Sequence, residues 1–258
     1  MTALTDRTTW FRGLMPGFLG IGAMRSGTTW LATQLRAHPQ IQIERKEIHF
    51  FDRKLGERGA SGSVRDLVNR LRYAHRVRER PPRRRLRGEI TPAYATLDDD
   101  TVRRVGEWMP DTKIIYLMRD PVERTWSQVR NDFPIWIGRE VEDLTRDELI
   151  EFFESDSVVA RSDYAGCIER WRGVFGEDRV FVGFYDDIRG RPAGLLGDLF
   201  RFLEVDDTIM LEPGTLGRTV GSSDPVRMPD WVRSDLEARY SGHAARLAAL
   251  GLEVPWTR

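Results

Sequence analysis

Cysteine is almost absent from this chain of 258 residues, and lysine is scarce. Cys167 is the only cysteine, which excludes an intramolecular disulfide and argues against a cysteine-based metal cluster. Lysine occurs only at Lys46, Lys54 and Lys113, so arginine supplies nearly all of the 40 basic side chains. Because a chain without disulfides suits a reducing compartment, we expect a cytoplasmic protein.

A long hydrophobic run and an excess of charge of one sign are also missing. No apolar stretch approaches the roughly 18 residues of a membrane-spanning helix, and the first dozen residues contain no signal-peptide-like segment. Lys plus Arg and Asp plus Glu both total 40, which removes the basic excess of a nucleic-acid-binding protein. We therefore expect no integral membrane segment and no nucleic-acid partner.

What is present is the composition of a folded protein, with 40% hydrophobic and 10% aromatic residues. Short apolar runs alternate with longer stretches of helical period, and neither a repeat nor a low-complexity linker interrupts them. This pattern predicts one α/β domain over residues 1–258, with a central parallel sheet flanked by helices.

The apolar runs and the helical periods give approximate positions for the elements. Strands are predicted at residues 18–24, 86–90, 113–118 and 180–184. Helices are predicted at residues 28–37, 64–77, 164–175, 192–203 and 229–250, and after the capping residues Asp98 and Asp120. Residues 205–228 have no clear period, which predicts a long loop.

A glycine-rich turn lies between the first predicted strand and the first predicted helix. Gly22 and Gly27 have the spacing of a phosphate-binding loop, but Thr28 stands where nucleoside triphosphatases have a lysine. Backbone N–H groups at a helix N-terminus bind anions, and the hydroxyls of Thr28 and Thr29 add donors. Arg25 places a positive charge inside the turn. A purely structural turn is the alternative.

A second polar segment, with Arg119 and Ser127, follows the strand predicted at residues 113–118. Ligands of open parallel sheets bind beyond the carboxyl ends of the strands, which predicts Arg119 on the same rim as the glycine-rich turn. A guanidinium and a hydroxyl suit a phosphate, although Arg119 could instead cap the end of its strand. Two anion sites on one rim indicate a nucleotide with two phosphorylated positions.

Glu47 and His49 form a third candidate cluster. Their side chains would point to the same side of an extended segment, because they are two residues apart. Either group could take a proton from a hydroxyl nucleophile, and the flanking Phe50 and Phe51 favour a partly buried position. The alternative is a solvated carboxylate beside a packed imidazole.

In order and spacing, these three segments resemble the sulfotransferases that use 3′-phosphoadenosine 5′-phosphosulfate (PAPS). Residues 18–30 look like the 5′-phosphosulfate loop of that family, and residues 113–127 look like its 3′-phosphate motif. The segments Glu47-Ile-His-Phe-Phe-Asp52 and Thr91-Pro-Ala-Tyr94 resemble the heparan-sulfate and related carbohydrate branch. Residues 164–171, 184–188 and 199–203 extend the resemblance over nearly the whole chain.

The resemblance implies in-line transfer of a sulfuryl group from PAPS to a hydroxyl of a small molecule or glycan. It implies Glu47 as the general base and Arg25 as a catalytic cation, with His49 as the second choice of base or as an acceptor contact. The residues that would contact the cofactor, or its product 3′-phosphoadenosine 5′-phosphate (PAP), are Arg25, Ser26, Gly27, Thr28, Thr29, Trp30, Arg119, Ser127, Arg218, Ser222 and Ser223.

 The expected acceptor is a carbohydrate, a glycolipid or a glycosylated metabolite, and no metal is expected to be required.

Two departures from the family separate this chain from its heparan-type relatives. Arg25 replaces a loop lysine that many members carry, and Ile90 stands where heparan-type enzymes have a lysine. The arginine-rich region 65–87 either binds an acidic acceptor or forms a solvated surface.

Two rival functions share parts of this pattern. A P-loop kinase or nucleoside triphosphatase would need a lysine at Thr28 and normally an acidic metal ligand where Arg119 stands. A non-catalytic nucleotide- or glycan-binding module would keep Arg25 and Arg119 but would tolerate the loss of Glu47.

Overall fold

The computed structural model describes residues 15–43, 45–53, 63–77, 86–209 and 226–256. Three predicted cofactor contacts, Arg218, Ser222 and Ser223, lie outside the described residues, as does most of the loop predicted at residues 205–228. Part of the arginine-rich region 65–87 lies outside them too. Among the described residues, no helix has both the length and the apolar character needed to cross a bilayer.

Five parallel strands form one sheet in the order β2-β3-β1-β4-β5. They are β1 (Phe18–Gly22), β2 (Ile41–Ile43), β3 (Leu86–Ile90), β4 (Lys113–Met118) and β5 (Val180–Phe184). The α/β fold with a central parallel sheet is thus confirmed. The sequence pattern misses β2, because three residues are too few to show a period.

Helices cover both faces of the sheet, which is why β1, β5 and the part of β4 after Lys113 consist of apolar and aromatic residues and glycine. One face carries α1 (Thr28–Ala37) and α9 (Pro192–Leu203), and the other carries α2 (Val64–Arg76), α3 (Asp99–Trp108) and α7 (Tyr164–Phe175). Successive residues of β1 alternate between these faces, with Phe18 packed toward α1 and Leu19 toward α3.

A further layer packs outside the sheet, where α4 (Pro121–Asp132), α5 (Arg146–Glu154) and α10 (Asp230–Tyr240) share an apolar cluster. The remaining helices are α6 (Asp156–Ser162), α8 (Tyr185–Gly190) and α11 (His243–Ala248). Both predicted caps are confirmed: Asp98 accepts from the backbone N–H of Thr101 at 2.7 Å, and Asp120 accepts from that of Val122 at 2.9 Å.

The single helix predicted at residues 229–250 is wrong. The chain forms two helices there, α10 and α11, which are separated at Ser241 and Gly242. Both residues have lower helix propensity than the alanines and leucine that follow. The break also lets the ring of His243 turn back to contact the carbonyl of Ser162 at 3.1 Å.

The strand order places the two predicted anion-binding segments side by side. The chain leaves β1 toward β2 and β3 on one side and later reaches β4 on the other, so the order reverses between β1 and β4. Ligands of open α/β sheets bind at such a reversal, beyond the carboxyl ends of the strands. There the backbone N–H of Ala23 donates to the carbonyl of Leu117 at 2.6 Å.

The end of β3 supports the segment that contains Glu47 and His49. The hydroxyl of Thr91 accepts from the backbone N–H of Ile48 at 3.1 Å, and the hydroxyl of Tyr94 accepts from that of Phe50 at 3.0 Å. The Glu89 side chain is fully buried beneath them. Burial raises the pKa of Glu89 to about 8, an effect that the neighbouring Tyr hydroxyls partly offset.

We expect Glu89→Gln to flatten the pH dependence of stability. The pKa of Glu89 rises from an ordinary 4.5 to about 8 on folding, so the folded chain retains a proton that the unfolded chain releases. The stability that the protonated Glu89 contributes is therefore fully present below the unfolded pKa of 4.5. It is lost as the pH rises through the folded pKa of about 8. Over this range the variant should lose about 2–5 kcal/mol less stability than the native chain.

Urea denaturation at a series of pH values measures this difference. Glu107→Gln, which changes an exposed glutamate on α3, serves as the control. Stability curves for Glu89→Gln and the native chain that run parallel across the range would contradict the expectation.

Candidate active site

The turn after β1 presents backbone and side-chain donors at the start of α1. Gly27 adopts a φ of 83° directly before the helix, and its carbonyl accepts the N–H of Leu31 at 3.0 Å. The hydroxyl of Ser26 is buried and has no hydrogen-bond partner within the described part of the chain. This unpartnered hydroxyl and the helix N-terminus, whose first N–H groups have no acceptor within a helix, suit an anionic group of a nucleotide.

Arg25 joins this turn to α4. Its Nε donates to Oγ of Ser127 at 3.1 Å, and its Nη1 donates to Oδ1 of Asn131 at 2.8 Å. The amide of Asn131 is oriented by Asp132, whose Oδ1 accepts from Nδ2 at 3.0 Å. Burial lowers the pKa of Arg25, whereas the carboxylate of Asp132 raises it. The structure therefore brings together Arg25 and Ser127, which the sequence assigned to separate anion sites.

Arg119 also contacts this turn. Its Nη1 approaches the carbonyl of Arg25 at 3.4 Å, and its guanidinium lies 4.6 Å from the ring centroid of Tyr185. The hydroxyl of Tyr164 holds the backbone by donating to the carbonyl of Arg119 at 2.8 Å. Arg119 thus lies beside the glycine-rich turn, and its Nη2 also lies 3.9 Å from Oε2 of Glu123. Its contact with a phosphate stays a prediction.

Glu47, His49 and Asp52 form a hydrogen-bonded line. Nε2 of His49 lies 2.8 Å from Oε2 of Glu47, and Nδ1 of His49 lies 2.7 Å from Oδ2 of Asp52. Because each ring nitrogen faces a carboxylate, both contacts are satisfied when the imidazole carries both protons. The predicted extended backbone is wrong at His49, whose φ is 51°. The left-handed turn itself brings Asp52 back to the ring.

Lys46 connects this line to the glycine-rich turn. Its Nζ donates to Oγ1 of Thr29 at 2.9 Å and lies 3.7 Å from Oε1 of Glu47. Burial lowers the pKa of Lys46, and the carboxylate of Glu47 opposes this effect. The segment with Glu47 is therefore anchored at the N-terminus of α1.

The remaining predicted cofactor contacts differ in their exposure to solvent. Thr29 is exposed, whereas Thr28 is buried. Trp30 packs in the apolar cluster between the sheet and the layer of α1 and α9. Its contact with a nucleotide stays a prediction.

Sequence reasoning missed the roles of Asp52, Asn131, Tyr185 and Lys46 in this geometry. Asp52 carried a signal, because it lies three residues after His49 in a polar-aromatic segment. Asn131 also lies on the same helical face as Ser127, four residues away. Tyr185 carried no comparable local signal, since only the sheet brings β5 beside β4.

Comparison with known proteins identifies the family of this chain. The family model described as "Sulfotransferase domain" matches residues 17–215. The chain belongs to the sulfotransferase domain family. It is 29% identical over 195 residues to heparan sulfate glucosamine 3-O-sulfotransferase 3B1 of Homo sapiens, which covers 73% of this chain and 46% of that protein. The predicted resemblance to the heparan-sulfate branch is thus confirmed.

Two further similarities extend this comparison. A membrane-associated sulfotransferase, kil1, of Dictyostelium discoideum is 36% identical over 115 residues, or 44% of this chain and 22% of that protein. The crystal structure of a sulfotransferase from Alicyclobacillus acidocaldarius has the same fold, with a TM-score of 0.67 and 24% identity over 92% of this chain and 95% of that one. The sulfotransferase domain described here spans less than half the length of these curated relatives.

We expect Gly27→Ala to destabilise the domain more than Gly138→Ala does. Both glycines have left-handed φ values, 83° and 71°, so an added Cβ costs about 1 kcal/mol of backbone strain at each. At Gly27 the new Cβ would lie 2.4 Å from Cδ1 of Ile188, whereas nothing lies within 4 Å at Gly138. The clash should add about 1 kcal/mol or more.

The free energy of unfolding, measured by urea denaturation, isolates the steric effect as the difference between the two variants. Equal losses at the two positions would show that α8 does not pack against the glycine-rich turn as described.

Proposed function

We propose that this chain transfers a sulfuryl group from PAPS to a hydroxyl of a carbohydrate or of a carbohydrate-bearing molecule. The observation that carries the proposal is the convergence of Arg25, Ser127 and Arg119 at the carboxyl ends of β1 and β4. Lys46 links Glu47 to the same turn through Thr29. Family membership and the similarity to heparan sulfate sulfotransferases support both the reaction and the acceptor class.

The chain's own residues fit the two anionic ends of PAPS. The N–H groups at the start of α1, the unpartnered hydroxyl of Ser26 and the guanidinium of Arg25 would hold the 5′-phosphosulfate. Arg119 and Ser127 would hold the 3′-phosphate, with the guanidinium of Arg119 kept in place over Tyr185. When bound, PAPS supplies the sulfuryl group and retains, as PAP, the electron pair of the sulfur–oxygen bond that breaks.

Glu47 is the residue best placed to act as the general base. Both nitrogens of His49 face carboxylates, whereas Glu47 has a second oxygen directed toward the Lys46 side of the site. Glu47 would accept the hydroxyl proton while the acceptor oxygen forms its bond to sulfur. His49 and Asp52 would hold the Glu47 carboxylate in position.

Arg25 would stabilise the negative charge that develops during transfer. Its guanidinium is held by Ser127 and Asn131, so little reorganisation is needed when the charge on the leaving oxygen increases. An arginine presents this charge as a planar fork rather than as the compact ammonium of a lysine.

We expect the domain to bind PAP with micromolar affinity, independently of Mg²⁺ and in preference to ADP and ATP. Arg119→Ala should weaken PAP binding by about 10- to 100-fold, because it removes a charged hydrogen-bond donor to the 3′-phosphate. Isothermal titration calorimetry measures these affinities.

Arg103→Ala is the matched control, since Arg103 is an exposed arginine on α3 that pairs with Asp100. It should leave PAP affinity unchanged. A preference for ATP with Mg²⁺ would instead support the alternative function of a P-loop kinase or nucleoside triphosphatase.

We expect Glu47→Gln to keep PAP affinity within about twofold and to lower turnover about a hundred- to ten-thousand-fold, because the amide cannot accept the hydroxyl proton. Turnover is measured as PAP released from PAPS in the presence of a panel of oligosaccharide acceptors. Full activity in Glu47→Gln would rule out Glu47 as the base. If the native chain binds PAP but sulfates none of the hydroxyl-bearing acceptors tested, this result would support a non-catalytic binding module instead.

A further inference from the structure

We propose that Lys46 binds the sulfuryl group directly and acts as a second catalytic cation beside Arg25. The inference rests on the proposed function, because it concerns the same cofactor. It is carried by the position of the Lys46 ammonium between the proposed base and the first turn of α1.

The Lys46 ammonium retains a donor for an anion. Of its three N–H groups, one donates to Oγ1 of Thr29 at 2.9 Å and a second faces Oε1 of Glu47 at 3.7 Å. A third therefore has no acceptor among the residues that the structure describes. The Lys46 side chain is only 14% exposed, so water replaces that acceptor poorly.

Other positive groups lie near Lys46 in addition to the carboxylate of Glu47. The N-terminus of α1 contributes the partial positive charge of a helix dipole, and Arg25 and Arg36 are close enough to disfavour the charged form of Lys46. Among the described residues that shift the pKa of Lys46, Glu47 is the one carboxylate. A negatively charged group bound here would relieve the repulsion between the cations.

The order of residues along the segment assigns Lys46 to the sulfuryl group rather than to the 3′-phosphate. A general base must reach the hydroxyl that attacks sulfur, and Lys46 is adjacent to Glu47. Its contact with Thr29 places the ammonium at the helix N-terminus, whereas Arg119 and Ser127 lie toward β4 and α4. Lys46 would thus stabilise charge on the sulfuryl oxygens while Glu47 takes the proton.

Calorimetry with PAPS and with PAP separates this role from general electrostatics. PAP lacks the sulfuryl group, so Lys46→Met should weaken PAPS binding by about 10- to 100-fold while PAP affinity changes by less than about twofold. Lys46→Arg, which keeps the charge, should restore most of the PAPS affinity. Turnover by Lys46→Met should fall about a hundred- to thousand-fold.

Lys113→Met is the matched control. Lys113 is similarly buried, with 19% of its side chain exposed, but it pairs with Glu204 at the opposite end of the sheet. This variant should leave the ratio of PAPS to PAP affinity unchanged even if it lowers stability.

The alternatives have distinct outcomes. If Lys46 only holds Glu47 in place, Lys46→Met will lower turnover without changing PAPS affinity, which overturns the inference. Equal weakening of PAPS and PAP binding also overturns it, because the effect would then not depend on the sulfuryl group. If the native chain binds neither nucleotide, the proposed function itself fails and the inference fails with it.

Discussion

The hydrogen bond between the backbone N–H of Ala23 and the carbonyl of Leu117 joins two segments that are nearly a hundred residues apart. It lies where the strand order reverses, and both polar segments leave the sheet at that point. Arg25 then spans the gap to Ser127 and Asn131, while Arg119 approaches the backbone of Arg25. The proximity of Arg25 to Arg119 and Ser127 depends on this pairing of β1 with β4.

Charge in this protein is arranged locally rather than globally. The net charge is zero, yet Arg25, Arg119 and Lys46 converge on the carboxyl ends of two strands. Buried cations are costly unless they are hydrogen-bonded, and the structure satisfies this requirement with neutral groups as well as with carboxylates. Arg124 shows the same principle within α4, where it is fully buried and donates to the side chains of Gln128 and Ser162. Such a network keeps α4, and with it Ser127, in a fixed place.

The segment that contains Glu47 is supported in a different way. Two hydroxyl groups, from Thr91 and Tyr94, hold the backbone on either side of His49, so the short segment needs no regular secondary structure. Its left-handed turn at His49 aligns two carboxylates with one imidazole. The buried carboxyl of Glu89 lies below, and burial favours its neutral form. The carboxyl of Glu89 is therefore kept from water, whereas the carboxyl of Glu47 is exposed enough to exchange a proton.

The sequence by itself determined the parallel α/β fold, four of the five strands and the positions of the two segments that are proposed to bind anions. Local sequence patterns indicate these features: apolar runs indicate buried strands, Asp98 and Asp120 indicate helix starts, and the glycine spacing before a helix indicates the turn. The tertiary structure alone decided that Arg25 meets Ser127, that Arg119 rests on Tyr185 and that Lys46 reaches Thr29. Residues distant along the chain meet only through strand order and helix packing, and no local period encodes those contacts.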